Sequence, residues 1–285
     1  MSESITVIIP ARDEAGAIGD VVAGVRRQYP DAEVLVVDDG SADDSAAIAR
    51  QQGATVLGHP VALGNGAAIK TGARHAGGEW LVFMDGDGQH HPEDIPRLLE
   101  KRKDGYEMVV GARGSESQAG ISRGVANALY NRIASWMTGQ KIPDLTSGFR
   151  VVRRSLFQKF IYLLPNGFSY PTTITMAFFR SAYPVAYVPI TAAQRTGKSH
   201  IRPFHDGVRF LLIIFKVGTL YSPLKLFVPL GLLFFGTGFS YYLYTYITMN
   251  RFTNMSLLLF SAAVIVFLIG LVSEQITALN YKDSV

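Results

Sequence analysis

Trp80-Leu81-Val82-Phe83-Met84-Asp85-Gly86-Asp87-Gly88-Gln89 is an apolar run that ends in two carboxylates one residue apart. The run has no polar alternation, so it predicts a strand buried on both faces of a parallel sheet. Open α/β sheets bind ligands beyond the carboxyl ends of their strands. Asp85 and Asp87 therefore stand where a ligand would be met, and they repel each other unless a cation lies between them. Mg2+ or Mn2+ suits the position, because such ions take one or two protein carboxylates and complete their shell with phosphate oxygens. Asp85, Asp87 and the amide oxygen of Gln89 are the candidate metal ligands. A lone Asp-x-Asp is ordinarily a turn or helix cap, so the reading depends on what accompanies it.

Three further segments have the same form. Ile5-Thr6-Val7-Ile8-Ile9 stops at Pro10-Ala11-Arg12-Asp13-Glu14, and residues 15–28 then read as a helix. Glu33-Val34-Leu35-Val36-Val37 ends in Asp38-Asp39-Gly40-Ser41, with Asp43 or Asp44 placed to cap the next helix. Gly64-Asn65-Gly66-Ala67 opens another helix, whose amide-rich start could face an anion. Consecutive βα units with right-handed crossovers gather their strand tips on one sheet edge. The expectation is an α/β fold with a nucleotide pocket at that edge.

Taken with Asp144-Leu145-Thr146-Ser147-Gly148-Phe149-Arg150, these motifs and their order resemble family 2 glycosyltransferases. More narrowly they resemble the polyprenyl-phosphate glycosyltransferases, the group of dolichol-phosphate mannose synthase and its undecaprenyl-phosphate relatives. The resemblance implies a Rossmann-like GT-A domain with a mostly parallel sheet over residues 1–203. It implies a nucleotide diphosphate sugar donor, UDP- or GDP-linked, held by Pro10, Arg12, Glu14, Asp39, Asp85 and Gly86, with Arg195 and Lys198 closing over the pyrophosphate. It places Arg113 and Arg123 on the acceptor phosphate, and Ser147 and Arg150 beside the sugar. Asp85, Asp87 and Arg123 are the catalytic candidates. Gly148 is expected to supply an unusual backbone angle for a tight turn. Asp13 stands where many relatives carry Asn, a change expected to affect a turn. His200 replaces a residue that is often basic, and His90 and His91 invite a metal reading.

Composition agrees. Of 285 residues, 48% are hydrophobic, and the mean hydropathy of +0.18 is high for a wholly soluble chain. There is no cysteine, which excludes disulfides and thiolate metal sites. A net charge of +4 fits several anionic partners, but no aromatic-basic, zinc-finger or helix-turn-helix pattern supports nucleic acid. Residues 1–30 carry no secretory signal, being interrupted by Arg12, Asp13, Glu14 and Asp20.

Lipid contact is expected at the other end. Residues 226–248 and 255–276 form two apolar stretches, each close to the roughly 20 residues that span a bilayer, joined by a short polar loop. They predict a two-helix transmembrane hairpin. Residues 204–225 mix aromatic and basic side chains in a manner suited to an interfacial helix or, alternatively, a buried core helix. Arg195, Lys198, Arg202, Arg209, Lys216 and Lys225 precede the hairpin and Lys282 follows it, whereas its loop holds only Arg251. By the positive-inside rule the catalytic domain is cytoplasmic, and the resemblance implies a bacterial or archaeal plasma membrane. A hairpin this short is also compatible with a homo-oligomer.

The acceptor decides the chemistry. A sugar hydroxyl needs a carboxylate base, whereas a lipid phosphate is already an anion and attacks the anomeric carbon directly. The sequence then implies a single in-line displacement with inversion. A processive polysaccharide synthase would share the front half but carry Gln-x-x-Arg-Trp, which Gln194-Arg195-Thr196 is not. An inactive nucleotide-sugar-binding scaffold would be expected to have lost its acidic motifs. A dinucleotide-binding dehydrogenase would need a third glycine after Gly64 and Gly66.

Overall fold

The computed structural model describes residues 4–114, 121–167, 169–191, 215 and 218–281, with the backbone alone at 121–127. The chain divides into two compact units, Met1–Ile201 and Arg202–Val285.

The first unit is built on a seven-stranded sheet in the order β3-β2-β1-β4-β6-β5-β7. The strands are β1 (Ile5–Ala11), β2 (Glu33–Asp38), β3 (Thr55–Gly58), β4 (Trp80–Phe83), β5 (Met108–Arg113), β6 (Arg150–Arg153) and β7 (Val185–Ile190). All neighbours run parallel except β6, which is antiparallel to both β4 and β5. Helices α1 (Ile18–Gln28), α2 (Ser45–Gln51), α3 (Asn65–His75), α4 (Ile95–Arg102), α5 (Ile121–Thr138), α6 (Arg154–Lys159) and α7 (Tyr170–Arg180) complete it. Val7, Ile8 and Ile9 of β1 and Leu81, Val82 and Phe83 of β4 are wholly buried, as uninterrupted apolar strands require.

From β1 the chain winds to β2 and β3 on one side, then α3 returns it to β4 on the other. The gap between the tips of β1 and β4 is therefore a topological switch point, the place where open α/β sheets form a crevice. Pro10 fits there for a backbone reason. In β1 the Ile8 carbonyl accepts from Met84 on the β4 side, and Ala11 accepts from Asp39 on the β2 side. By alternation the missing N–H of Pro10 falls on the β4 side, past the last pair Ile8–Phe83, where it interrupts no ladder. The reversed strand β6 has a second consequence. Arg150 pairs with Phe83, so the chain before β6, residues 144–149, lies at the same edge as the tip of β4.

Helix α1 begins at Ile18, three residues later than the sequence suggests, because residues 13–15 bind the neighbouring loop. The Asp13 and Glu14 amides donate to Ser41 and Ser45, and the Ala15 amide donates to Asp43. Asp13 itself sits at φ 55°, in the left-handed region that Asp and Asn tolerate, and its carboxylate accepts from the Ala42 amide. Of the two expected caps, Asp43 caps α2 by accepting from the Ser45 amide, while Asp44 makes no cap bond with its side chain.

Among its described residues the second unit has two long helices, Pro223–Met249 and Asn254–Asn280, each extending beyond the stretches 226–248 and 255–276. At 27 residues each is about 40 Å long, enough to cross a bilayer. Thr253 caps the second helix, its hydroxyl accepting from the Ser256 amide. The buried seam repeats every seven residues, with Gly231, Gly238 and Thr245 on one helix and Ser256, Ala263, Gly270 and Thr277 on the other. Small residues here let the backbones approach: a Cβ on Gly270 would lie 2.7 Å from Phe227 Cβ. Large side chains such as Leu232, Leu233, Ile247 and Leu279 face outward. This small-inside, large-outside arrangement inverts that of a water-soluble protein. Most of the expected interfacial segment 204–225 lies outside the described residues.

Candidate active site

The edge at the switch point assembles the tips of β1, β2, β4 and β5 and the loop entering β6. Asp85 follows β4 with its side chain about one-third exposed, so it is open to a ligand on one side. Its other side is walled by Gly148, where a Cβ would come within 3.0 Å of Asp85 Oδ2. Gly148 is not at positive φ. The close approach to the Asp85 carboxylate, and not a left-handed backbone angle, is what favours glycine here, which corrects the expected backbone explanation.

Asp87 is two residues further, and its Oδ1 accepts from the Gln89 amide at 3.1 Å, holding the turn in which Gly88 adopts φ 74°. Gly86 lies against β1; its Cβ position is 3.2 Å from the Pro10 carbonyl. Among the described residues no three His, Asp or Glu side chains converge as a ready-made metal cage. The oxygen donors of Asp85, Asp87 and Gln89 suit a hard cation that takes the rest of its ligands from phosphate and water, so these residues fit Mg2+ or Mn2+.

His90 is not arranged as a ligand. It is buried, stacks on Phe149 at 5.1 Å, and its Nδ1 accepts weakly from the Asp85 amide at 3.4 Å. Burial holds the imidazole below its ordinary pKa although Asp85 and Asp87 oppose this. The ring thus serves as a neutral support beneath Asp85.

Arg113 ends β5 and forms a two-pronged ion pair with Asp144, through Nε to Oδ2 at 2.8 Å and Nη2 to Oδ1 at 3.1 Å. Asp144 also accepts from the backbone amides of Arg113, Thr146 and Ser147 and from the Thr146 hydroxyl. Burial alone would raise its pKa, but the Arg113 guanidinium and these donors bring it below the usual carboxylate value. For Arg113, burial acts to lower the pKa, and Asp144 outweighs it with help from Asp85 and Asp87. Arg113 stays partly exposed and cationic within the field of the acidic pair. Asp144 is committed to holding it.

Ser147 and Arg150, expected beside the sugar, are both fully buried. The Ser147 hydroxyl donates to the Gly111 carbonyl at 2.6 Å. Arg150 donates to the Ser147 carbonyl, to the Pro171 carbonyl at 3.1 Å and to Thr175, with its guanidinium 5.7 Å from the centre of the Tyr170 ring. The Tyr170 hydroxyl donates to the Gly148 carbonyl at 3.1 Å. Arg150 and Tyr170 thus clamp, from behind, the peptide that walls Asp85.

Asp39 is also turned inward. Its Oδ1 accepts from His59 Nδ1 at 2.7 Å and from the Leu63 amide, and its Oδ2 accepts from the Gly64 amide. Burial would raise its pKa, but His59 and these amides lower it. His59, which the sequence reading did not single out, also reaches the Thr71 hydroxyl at 2.9 Å, tying the 59–64 loop to α3. Its one sequence signal is a histidine directly after a strand. The start of α3 is not an open anion site. The Asn166 carbonyl accepts from the Ala67 amide at 2.8 Å, and a Cβ on Gly66 would lie 2.1 Å from the Pro165 carbonyl. Gly64 and Gly66 are small so that this loop can close over the helix.

Arg12 and Glu14 follow β1 at the same edge, Arg12 exposed with its Nε 3.9 Å from Asp13. Arg195, Lys198 and His200 lie outside the described residues, and so does the side chain of Arg123.

Comparison with known proteins agrees with this fold. The model of the family "Glycosyl transferase family 2" matches residues 6–161, and that of the "GtrB C-terminal hairpin" matches residues 222–279. The chain is 30% identical over 218 residues to a dolichyl-phosphate hexose transferase of Haloferax volcanii, covering 75% of this chain and 94% of that one. It is 30% identical to a polyprenol monophosphomannose synthase of Mycolicibacterium smegmatis, covering 66% and 77% respectively. A glucosyl-3-phosphoglycerate synthase from Mycobacterium tuberculosis, solved with Mn2+ and UDP, shares the fold at a TM-score of 0.61 and 22% identity, over 76% of this chain and 79% of that one. The chain belongs to glycosyl transferase family 2 and carries a GtrB-type C-terminal hairpin.

Proposed function

We propose that this protein transfers one sugar, with inversion, from a nucleotide diphosphate sugar to polyprenyl phosphate at the cytoplasmic face of a membrane spanned by its hairpin. The observation that carries the acceptor assignment is the engagement of Asp144. It is the carboxylate best placed to act as a base, and its oxygens are taken up by Arg113 and the 144–147 turn. Asp85 and Asp87 are assigned to the donor side. An acceptor that arrives already ionised needs no base, and a phosphate is such an acceptor. The two relatives described above, named for polyprenol- and dolichyl-phosphate products, support the same reading.

Asp85, Asp87 and Gln89 would hold Mg2+ or Mn2+, which when bound supplies Lewis-acid neutralisation of the departing diphosphate. Arg113, fixed by Asp144, orients the acceptor phosphate with Arg123, while Arg195 and Lys198 close on the donor. Pro10, Arg12, Glu14 and the loop anchored by Asp39 shape the nucleoside end. The Gly148 wall keeps Asp85 in register with the attacking and leaving groups.

The test offers purified protein two acceptors with one chain length, undecaprenyl phosphate and undecaprenol. Transfer to the phosphate alone is expected. Transfer to the alcohol would show that a base operates and would overturn the assignment.

A further inference from the structure

Asp39 stands one residue beyond β2, and its amide donates to the Ala11 carbonyl at the end of β1 at 2.9 Å. In the sheet β2 and β4 flank β1, so Asp39 lies about 10 Å, two strand spacings, from the tip that carries Asp85. That is the order of the distance between the diphosphate of a nucleotide and its base. The chain after β3 folds back onto the β2 tip: Gly40 adopts φ 72°, and a Cβ there would lie 3.0 Å from the Ala62 nitrogen.

An ionised carboxylate has about four acceptor positions and no donor. Three of those on Asp39 are filled from within the chain. Oδ1 accepts from His59 Nδ1 at 2.7 Å and from the Leu63 amide at 2.8 Å, and Oδ2 accepts from the Gly64 amide at 2.8 Å. Because Asp39 can only accept, His59 Nδ1 carries the proton, and Nε2 meets the Thr71 hydroxyl at 2.9 Å. Held at both nitrogens, with its side chain 8% exposed, the ring is fixed on Oδ1. One acceptor position remains, on Oδ2. Uracil offers a carboxylate a single N–H, at N3, set between two carbonyls. Guanine offers two side by side, at N1 and N2, which call for both carboxylate oxygens. At Asp39 the second of these would find Oδ1 filled and would be buried without a partner.

We propose that His59 is the specificity-determining residue for the base of the donor: by holding Oδ1 it leaves Asp39 a single acceptor, which fits uracil and disfavours guanine. The donor is then a UDP-sugar. This deepens the reading of the donor as a nucleotide diphosphate sugar and rests on it. His59 touches no part of the donor itself; it acts through the carboxylate that it positions. A ribose hydroxyl on the same oxygen would give no preference between bases, and the test separates that case.

Full-length protein in detergent is titrated calorimetrically with UDP and with GDP in the presence of Mn2+. UDP is expected to bind about tenfold or more tightly than GDP, the consequence of one buried N–H left unpaired. His59→Ala frees Oδ1, and the UDP-to-GDP affinity ratio is expected to fall about tenfold, toward one. His59→Asn, whose side-chain amide nitrogen takes the place of Nδ1, is expected to restore the ratio. A role confined to packing the 59–64 loop would weaken both nucleotides alike, so an unchanged ratio in His59→Ala overturns the proposal. Wild-type protein that binds GDP as tightly as UDP, or more tightly, also overturns it. That comparison needs no variant to fold, and it leaves the nucleotide-sugar reading standing. Folded wild-type protein that binds neither nucleotide overturns both readings.

Discussion

Gly148 and Asp85 are in direct contact across the crevice: a methyl group on Gly148 would press to within 3.0 Å of one carboxylate oxygen and 3.3 Å of the other. The contact exists because β6 runs antiparallel to β4, so the loop entering one strand meets the tip of the other. The position of a proposed metal ligand is thus set by a backbone wall, and the wall is held by Arg150 and Tyr170.

Gly148→Ala is expected to displace the Asp85 carboxylate while leaving the fold intact, since this backbone is not at positive φ. The shift is a few tenths of an ångström at the end of a flexible carboxylate, so a loss of roughly severalfold is expected, short of the ~100-fold that a 1 Å misplacement can cost. Transfer rates titrated with Mn2+ should show that loss together with a raised metal requirement. An unchanged metal dependence would separate the wall from the site.

Arg150→Lys keeps the charge but shortens the reach to the carbonyls of Ser147 and Pro171. It is expected to lower kcat by roughly tenfold or more through misplacement of Asp85, with little change in donor KM because Arg150 is buried and bonded to Ser147, Pro171 and Thr175. A rise in KM at constant kcat would instead place Arg150 in contact with substrate.

Asp144→Asn removes one partner of a buried ion pair, which costs roughly 3 kcal/mol or more. The folded pKa of Asp144 is lowered, so its contribution is fully present above the unfolded carboxylate value near 3.9 and is lost as pH falls through the folded value. Urea unfolding across pH should show the wild type losing stability below about pH 4 and a shallower acid limb in the variant. Parallel acid limbs would contradict the pairing.

Asp87→Ala is expected to abolish metal-dependent transfer in protein that still folds, because the Gln89 amide its carboxylate holds belongs to the local 87–89 turn. Substantial residual activity would remove Asp87 from the site.

The strands and their tips were legible because β1, β2 and β4 are uninterrupted apolar runs that stop at charged residues, a pattern a buried parallel sheet enforces. From that alone Asp39, Asp85 and Asp87 could be placed on one edge, whereas Arg113 entered only through the family resemblance. That Arg150 is fully buried was not visible in the sequence, because β6 is only four residues long and has no apolar alternation to fix which face each side chain takes. Asp39 looked like a ligand contact, yet His59 and the Leu63 and Gly64 amides take up its oxygens, partners that only the folded loop brings together. The hairpin was visible as two apolar stretches. Its seven-residue seam of small residues was less so, since glycine and alanine contribute little to hydropathy.

The most direct test is transfer from radiolabelled UDP- and GDP-sugars into organic-extractable lipid by purified protein with undecaprenyl phosphate and Mn2+ or Mg2+. The account predicts one labelled donor giving a lipid product that EDTA eliminates. Folded protein that labels no lipid from any donor, or a lipid product indifferent to EDTA, would contradict it.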